Sequence, residues 1–518
     1  AMSLPETSVF DLGPPPSCPV PFNMAGYALG TGDPDKVALS VLADASGAVA
    51  EAWTYGDLDR AIRGTAAGLR ALGLSSGDRV ALRTGNTSAF PILFFGIIAA
   101  GGVAVPTSSQ LTEWEFRALL DDMAPRFAAM SRDLAIDLPA SVSPLPPPLW
   151  AELRATAPGP VAATRPDDPA FLIYTSGTSG RPKGVLHAQR AAWARRMMWD
   201  GWYGLTGADT MLHAGAFNWT YTLGTGLTDP WAAGATVLIY AGPPDQAVWP
   251  KLAKAHSASI FAAVPGVYRQ VLRTEGLGTA FQTLRHGLTA GERMPETLAE
   301  HWRMATGKPV YEALGMSEVS TYVSSSPSVP PKPGTTGRPQ AGRRVAILDE
   351  TAPDPRPAAV GTPGLLAVSQ HDPGLMIGYW NLPEETAAAF RGGWFVTGDR
   401  AAMDAEGYLT YHGRADEVMT ALGYRVGPQE VEEALAALPT VAEVAVAELP
   451  VRQDLSLIAA FVVPRGRWPG DAALAAAAAD RLAAYKCPRI WVQVDALPRT
   501  ANGKLKRREL VERHRRDR

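Results

Sequence analysis

A short glycine-rich loop that ends in a lysine is the segment best suited to bind an anion. Residues 174–184 read YTSGTSGRPKG and directly follow the apolar run AFLI. Small residues let the backbone close on phosphate oxygens, while hydroxyls and exposed amides donate hydrogen bonds to them. A Walker A loop has glycine immediately before its lysine, whereas Pro182 precedes Lys183 here. The segment predicts a different phosphate-binding loop, formed by Thr175, Ser176, Gly177, Thr178, Ser179, Gly180 and Lys183.

Six further polar or glycine-rich segments follow this loop. Together with it they resemble the adenylate-forming superfamily, which comprises acyl- and aryl-CoA synthetases, adenylation domains of peptide synthetases and beetle luciferases. The resemblance extends over about residues 20–512 and is strongest to a freestanding medium-chain or aryl acyl-CoA synthetase. The segments are LTAGERMPE (288–296), YEALGMSE (311–318), GTTGRP (334–339), GWFVTGD (393–399), GRADEVMTALGYRVGPQEVE (413–432) and PRTANGKLKRREL (498–510).

The resemblance implies a two-step reaction that uses ATP, Mg²⁺ and coenzyme A. A carboxylate attacks the α-phosphate of ATP to give an acyl-adenylate and pyrophosphate, and the acyl group then passes to the thiol of CoA with release of AMP. Both steps depend on neutralising phosphate charge and holding the reactants in line. The expected enzyme is an AMP-forming acid–thiol ligase for a medium-chain, alicyclic or aromatic acid.

Four residues are expected to act on the reacting atoms. Glu318 matches the glutamate that holds Mg²⁺ in this family, and one carboxylate with phosphates and water suits that hard cation. Ser317, where threonine is usual, is expected to reach the α-phosphate, and Lys183 supplies the cation of the loop. Lys504 matches the C-terminal lysine that bridges the acid and the α-phosphate, where a compact ammonium can follow the developing charge.

The nucleotide is expected to contact four of these segments. Asp399 matches the aspartate that accepts hydrogen bonds from both ribose hydroxyls, and Arg414 matches the arginine that also reaches the ribose. Leu314 stands where the family often has a tyrosine on the adenine, so the residue that packs on the base stays open. Further contacts with ATP or AMP are expected from Gly291, Glu292, Glu312, Ala313 and Leu314.

The resemblance also implies a moving C-terminal domain. If Lys504 occupies the site in the first step, the domain must withdraw it before a thiol can enter, and Asp416 has the position of the hinge. Gly423 matches the glycine beside the pantetheine tunnel, where a Cβ would obstruct the thiol arm. Tyr424 and Arg425 are expected on the same CoA side.

The choice of acid depends on a pocket that the sequence outlines in part. Phe217, Asn218 and Trp219 compete for the gate before the pocket. Acetate-specific members close the pocket with a tryptophan where Gly315 stands, so a deeper pocket is expected. A dicarboxylic acid is disfavoured because no unpaired basic residue is aimed at a second carboxylate. The expected walls are Phe217, Asn218, Trp219, Tyr221, Val264, Pro265, Gly266, Gly315 and Met316.

Three other functions share these motifs or part of them. A freestanding aryl-acid adenylating enzyme would load a carrier protein instead of CoA, and a luciferase-like oxygenase would use the same adenylate. A non-catalytic nucleotide-binding relative is disfavoured because both Glu318 and Lys504 are retained. Free CoA is favoured as the acceptor, since no GGxS carrier-protein site follows Lys504.

The rest of the sequence supplies the elements that must position these residues. Helical stretches alternate with strand-length apolar runs such as DRVALRTG and ATVLIYA, which predicts α/β layers with mostly parallel sheets. Short strands and turns over about residues 329–370 predict a β-rich subdomain. We therefore predict a large N-terminal ATP- and acid-binding domain over residues 1–415, and a small, mobile α+β lid domain over residues 416–518 that carries Lys504.

The composition of the chain indicates which partners and which cellular compartment to expect. The 518 residues are 46% hydrophobic with a formal net charge of −3, which provides no overall field for nucleic acid or an acidic membrane. Two distant cysteines, Cys18 and Cys487, indicate no disulfide framework. No signal peptide or membrane span is recognisable. The expected partners are a small carboxylic acid, ATP and CoA, and the expected protein is a cytoplasmic monomer or homodimer.

Overall fold

The structure is a computed structural model, and the statements below concern the residues that it describes. These are residues 6–175, 182–243, 245, 247–415, 419–421, 424–452, 455–482, 484, 486–500, 503 and 505–516.

A nine-stranded, mostly parallel sheet carries the strand that leads to Glu318. Its six central strands are parallel, and antiparallel strands lie at both edges of the sheet. The parallel strands are Val37–Leu42, Thr236–Tyr240, Thr210–His213, Ile260–Ala262, His286–Ala290 and Val310–Met316. The antiparallel strands are Val49–Thr54 at one edge and Ser320–Ser324 with Arg338–Pro339 at the other.

A seven-stranded sheet carries the phosphate-binding segment. Its parallel strands are Pro169–Thr175, Val103–Pro106, Arg79–Arg83, Phe127–Met130 and Ser143–Leu145. Lys183–Ala188 and Gly378–Tyr379 add to it antiparallel. The phosphate-binding segment and Glu318 therefore come from different sheets.

Helices cover these two sheets. Tyr55–Ala71 begins at a capping box in which Thr54 and Asp57 exchange side-chain to backbone hydrogen bonds, which satisfies two amides of the first turn. Ala89–Ala99 is apolar throughout and buried from Phe90 to Ala99, as expected for a helix inside a large core. The α-helices of the large domain are Met24–Leu29, Tyr55–Ala71, Ala89–Ala99, Glu113–Met123, Pro147–Ala155, Arg190–Ala194, Thr220–Leu223, Asp229–Ala232, Val248–Ala255, Pro265–Val271, Leu277–Ala280, Glu296–Thr306 and Pro383–Ala388.

A six-stranded antiparallel sheet forms the β-rich subdomain. Its strands are Val9–Phe10, Val345–Leu348, Gly364–Ser369, Phe390–Arg391, Trp394–Met403 and Leu409–Arg414. Its apolar face packs into a cluster with Tyr322 and Val323 of the nine-stranded sheet. This subdomain therefore positions the last two motifs of the large domain against the strands that carry Glu318.

The small domain has its own core. Its strands are Met419–Ala421, Tyr424–Val426, Val441–Arg452, Leu455–Pro464 and Ile490–Gln493, and its helices are Pro428–Ala436, Asp471–Ala479 and Arg507–Arg516. Val431, Leu435, Val446 and Val462 are buried in one cluster. The predicted architecture is thus confirmed: parallel layers, a β-rich subdomain and an α+β C-terminal unit.

The predicted boundary between residues 415 and 416 stays a prediction. The last strand of the large domain ends at Arg414, and residues 416–418 lie outside the described chain. Among the described helices, none is both long enough and apolar enough to span a membrane.

We predict that Gly337 of the GTTGRP segment is required by backbone packing. It has φ of +120°, and a Cβ there would lie 2.2 Å from the carbonyl carbon of Ser324. Gly337→Ala should therefore lower the midpoint of thermal unfolding by roughly 5 °C or more. Gly334→Ala is the matched control, since Gly334 also has positive φ but open space at its Cβ. Equal shifts in both variants would contradict the packing argument.

Candidate active site

The phosphate-binding segment is the connection of a β-hairpin. Thr175 ends one strand and lies opposite Lys183, which begins the next. The predicted loop residues Ser176, Gly177, Thr178, Ser179 and Gly180 lie outside the described residues. The hairpin therefore fixes both ends of the loop in the seven-stranded sheet.

Lys183 lies beside a tyrosine that the sequence analysis missed. Its ammonium pairs with Glu385 and lies 5.4 Å from the centre of the Tyr379 ring. The Tyr379 hydroxyl donates a hydrogen bond of 2.7 Å to Oε1 of Glu318. Tyr379 thus connects the loop lysine to the predicted magnesium ligand. No sequence signal distinguished it, because its two-residue strand meets Lys183–Ala188 only in the folded chain.

A buried histidine holds the turn that contains Ser317 and Glu318. Nε2 of His187 lies 2.6 Å from the carbonyl oxygen of Ser317, and because a carbonyl only accepts, the ring carries its proton on Nε2. Burial lowers the pKa of His187 to about 4, so the ring is neutral at pH 7. His187 was also missed, since it lies in a strand that reads as ordinary apolar sequence.

Glu318 offers a single carboxylate to a divalent cation. One oxygen accepts from Tyr379, and its backbone carbonyl accepts from the Met376 amide at 2.8 Å. The described part of the chain holds no cluster of three or more His, Cys, Asp or Glu side chains able to bind a metal ion. One fixed carboxylate fits a cation that keeps water and phosphate oxygens as its other ligands, as Mg²⁺ does.

The two predicted ribose contacts face each other across paired strands. Asp399 and Arg414 are in register in the six-stranded sheet, and Arg414 Nη1 lies 3.4 Å from Oδ1 of Asp399. The Tyr411 hydroxyl donates to the same oxygen at 3.0 Å. Burial raises the pKa of Asp399, and Arg414 opposes this rise. The structure therefore brings both predicted residues together and adds Tyr411, which the sequence analysis missed.

Glu312 has the most perturbed carboxyl among the predicted nucleotide contacts. It lies on Val310–Met316, and its Oε1 accepts from the Met294 amide at 3.0 Å. Burial raises its pKa to about 7. Ala313 beside it is buried, and Leu314 packs against the apolar cluster under the six-stranded sheet. The charged groups that act on this carboxyl are Arg293, which lowers its pKa, and Glu433 and Glu296, which raise it.

Trp219, Tyr221 and Val264 form an apolar wall beside Gly291. A Cβ on Gly291 would lie 3.0 Å from the Trp219 ring and 3.8 Å from Cγ1 of Val264. The rings of Trp219 and Tyr221 meet edge to face with centres 5.2 Å apart, and the Tyr221 hydroxyl donates to the Leu288 carbonyl at 3.2 Å. Gly291 has φ of +92°, so the close approach of the indole and the backbone conformation both favour glycine.

The other predicted pocket residues lie on three segments of the large domain. Asn218 precedes Trp219 and is half-buried, and Met316 lies opposite Ser320 in the hairpin that contains the Glu318 turn. Pro265 begins the helix Pro265–Val271, and a Cβ on Gly266 would meet open space.

Two predicted pocket residues are corrected by the structure. Phe217 is 3% exposed and stacks on Phe90 with ring centres 5.2 Å apart, so it belongs to the core and not to a gate. A Cβ on Gly315 would lie 2.6 Å from the carbonyl oxygen of Ser320 and from the Cα of Thr321. Because Gly315 has no side chain, the facing strand can pack closely against it. The glycine therefore does not deepen the pocket floor.

A mostly apolar cavity extends inward from Ser317. Open space of about 500 Å³ lies among its lining residues, and this volume includes open solvent. The arginines on its wall are already paired, Arg195 with Asp229 at 2.8 Å and Arg343 with Asp372 at 2.7 Å. The cavity wall thus offers no uncompensated arginine, among described residues, to a second carboxylate.

The small domain approaches the site through Arg499. Its Nη1 lies 2.7 Å from Oε1 of Glu292, the residue after Gly291. A Cβ on Gly503 would lie 3.6 Å from the same oxygen. The predicted contact Glu292 is therefore engaged by the small domain in this structure.

The remaining predicted residues are not described in full. Lys504, Asp416 and Gly423 lie outside the described residues, and Tyr424 and Arg425 are described as backbone of the strand Tyr424–Val426.

We predict that Glu312 makes stability depend on pH. Because its pKa is about 7 when folded and about 4.3 in an unfolded chain, the native state binds more protons between these values, and stability falls as pH rises through this window. The thermal stability of Glu312→Gln, relative to that of the parent, should therefore increase as the pH rises from 5 to 8. The exposed Glu152→Gln serves as control. If the difference in thermal stability between the parent and Glu312→Gln did not change with pH, the raised pKa of Glu312 would be contradicted.

Comparison with known families matches both domains. Residues 29–380 match the profile of the AMP-binding enzymes, and residues 430–504 match the AMP-binding enzyme C-terminal domain. The two matches fall on the large and small domains described above.

Similar proteins extend over nearly the whole chain. It is 32% identical to a 3-hydroxybenzoate–CoA ligase of Aromatoleum sp. (strain CIB), covering 89% of this chain and 91% of the relative. It is 33% identical to a benzoate–CoA ligase of Thauera aromatica, with 89% and 91% covered. A crystal structure of a benzoate CoA ligase from Burkholderia xenovorans LB400 superposes with a TM-score of 0.84 at 30% identity, covering 94% of this chain and 99% of that one. The chain therefore belongs to the AMP-binding enzymes and is an AMP-forming acyl-CoA synthetase that uses ATP and CoA.

Proposed function

We propose that this enzyme activates an aromatic carboxylic acid and transfers it to CoA. The observation that carries the proposal is the apolar wall of Trp219 and Tyr221 beside Gly291, against which a planar ring of the acid would pack. Aromatic pairs in such geometry are worth about 0.5–1.5 kcal/mol beyond the area that they bury. The aryl-CoA ligases among the similar proteins support the same substrate class. An aromatic acid is thus favoured over the medium-chain and alicyclic acids that the sequence left open.

In the proposed first step, the acid carboxylate attacks the α-phosphate of bound ATP and pyrophosphate leaves. Lys183 and the loop before it neutralise phosphate charge, and Ser317 donates to the α-phosphate from a turn that His187 fixes. Mg²⁺ held by Glu318 would supply further neutralisation of the phosphates. Lys504 binds the acid and the α-phosphate as charge moves between them.

The proposed nucleotide contacts come from the six-stranded sheet and the nine-stranded sheet. Asp399 accepts from the ribose hydroxyls while Arg414 and Tyr411 hold its carboxylate in place. Glu312 is positioned to accept from an amino group of the base, since its carboxyl is held at the Met294 amide. Both contacts orient the α-phosphate for attack in line, which is where such enzymes gain most of their rate.

In the proposed second step, the small domain withdraws Lys504 and CoA enters. Asp416 is the proposed hinge, and Gly423, Tyr424 and Arg425 are the proposed CoA-side residues. Transfer to a carrier protein is the alternative, and it predicts slow release of AMP with free CoA. Cytoplasmic location and a monomeric or dimeric state stay predictions.

We predict that aromatic acids are the preferred substrates. With ATP and CoA, benzoate or a hydroxybenzoate should give kcat/KM at least about tenfold above hexanoate and acetate, measured by AMP release. Trp219→Ala should lower kcat/KM for the aromatic acid about tenfold and for hexanoate less. Trp114→Ala is the control, because Trp114 is 79% exposed. A parent that prefers hexanoate would contradict the aromatic proposal.

We predict that Lys504 acts only in adenylation. Lys504→Ala should slow acyl-adenylate formation by about 100-fold or more, because it removes charge stabilisation from the transition state. Transfer to CoA from a presynthesised acyl-adenylate should persist. Lys506→Ala, at an exposed position two residues on, is the control. Equal loss of both half-reactions in Lys504→Ala would refute the role.

A further inference from the structure

One arginine of the small domain binds carboxylates of both domains. Arg499 donates from Nη1 to Oε1 of Glu292 in the large domain at 2.7 Å, and from Nη2 to Oε2 of Glu443 in the small domain at 2.9 Å. Nη1 also donates to the carbonyl oxygen of Gly503 at 2.8 Å. A guanidinium holds its donors in a rigid planar fork, so the three acceptors are fixed relative to one another.

These side chains lie in a partly dehydrated interface. Arg499 is 31% exposed, Glu292 21% and Glu443 30%. Burial raises the pKa of Glu292, and the Arg499 charge lowers it, so the arginine favours the ionised carboxylate. Removing Arg499 would leave Glu292 with its desolvation cost and without this partner.

A second ion pair of opposite polarity adjoins the first. Arg293, the next residue of the large domain, pairs with Glu433 on the helix Pro428–Ala436. The large domain thus presents a negative and then a positive charge, and the small domain presents the complementary charges. A displaced small domain would separate these pairs or bring like charges together, so the pattern specifies one docked position.

We propose that Arg499 is a positioning residue for the first half-reaction. By joining Glu292 to Glu443 and Gly503, it holds the small domain where the residue after Gly503, Lys504, can reach the acid and the α-phosphate. The inference rests on the proposed function, because it assumes that the small domain takes different positions for adenylation and for thiol transfer. Moving the small domain away from Glu292 would break this bond, so in this proposal its contribution belongs to adenylation.

The two half-reactions of Arg499→Gln test this role. Acyl-adenylate formation, measured as pyrophosphate release with the acid that the parent uses best, should fall about tenfold or more. CoA transfer from a presynthesised acyl-adenylate should stay within about twofold of the parent. Arg303→Gln is the matched control, since Arg303 pairs with Glu300 inside one helix of the large domain, and it should leave both rates unchanged.

Hydrogen–deuterium exchange tests domain docking without turnover. Peptides over residues 288–296 and 428–436 should exchange faster in Arg499→Gln than in the parent or in Arg303→Gln. Glu433→Gln, which breaks the second pair, should act in the same direction. Unchanged exchange, or an equal loss of both half-reactions, would overturn the positioning role. A parent enzyme that prefers a non-aromatic acid would refute the proposed substrate class. The role of Arg499 would then be tested with that preferred acid.

Discussion

The hydrogen bond from His187 to the Ser317 carbonyl is the constraint on which the site depends. The phosphate-binding hairpin belongs to the seven-stranded sheet and Glu318 to the nine-stranded sheet, so their separation is set by contacts between sheets. His187 spans that boundary at 2.6 Å, and Tyr379 spans it again through Glu318. Because burial keeps the imidazole neutral, the bond brings no charge next to bound phosphates. A neutral donor here would fix the geometry of the turn and leave charge neutralisation to Lys183 and to a cation at Glu318, the roles proposed above.

Buried ion pairs hold the surrounding framework in one arrangement. The Arg343–Asp372 pair is completely buried, and Arg195–Asp229 nearly so. Such pairs add little net stability, because desolvation offsets their attraction, yet breaking one leaves an uncompensated charge at a cost of about 3–5 kcal/mol. Arg195 also donates to Tyr203 and to Ser320, the latter with φ of +74°. These bonds hold the start of the strand after the Glu318 turn in a conformation that serine rarely adopts.

The fold could be predicted from the sequence, and the arrangement of the candidate site only in part. The family resemblance placed Asp399 and Arg414 at one ribose site, and the structure brings the two residues into register; their contact with the ribose stays a prediction. His187 and Tyr379 act through contacts between distant strands, and nothing in their local sequence reports a distant partner. Phe217 and Gly315 were misassigned for a related reason. Whether an aromatic ring faces a core or a pocket, and whether a glycine admits a ligand or a backbone, depends on neighbours that only the folded chain supplies.

The ion pairs formed by Glu292 and Arg293 should also make the position of the small domain depend on salt concentration. Their partners sit in an interface that remains between one-fifth and one-third exposed at Arg499 and its carboxylates, where dissolved ions can reach them. The screening length falls from about 8 Å at 0.15 M salt to about 3 Å at 1 M, which is close to the length of an ion pair. Salt should thus shift the balance between docked and undocked small domain while the buried pairs of the large domain stay unaffected. The relative speed of the two half-reactions would then follow ionic strength, with no allosteric site involved.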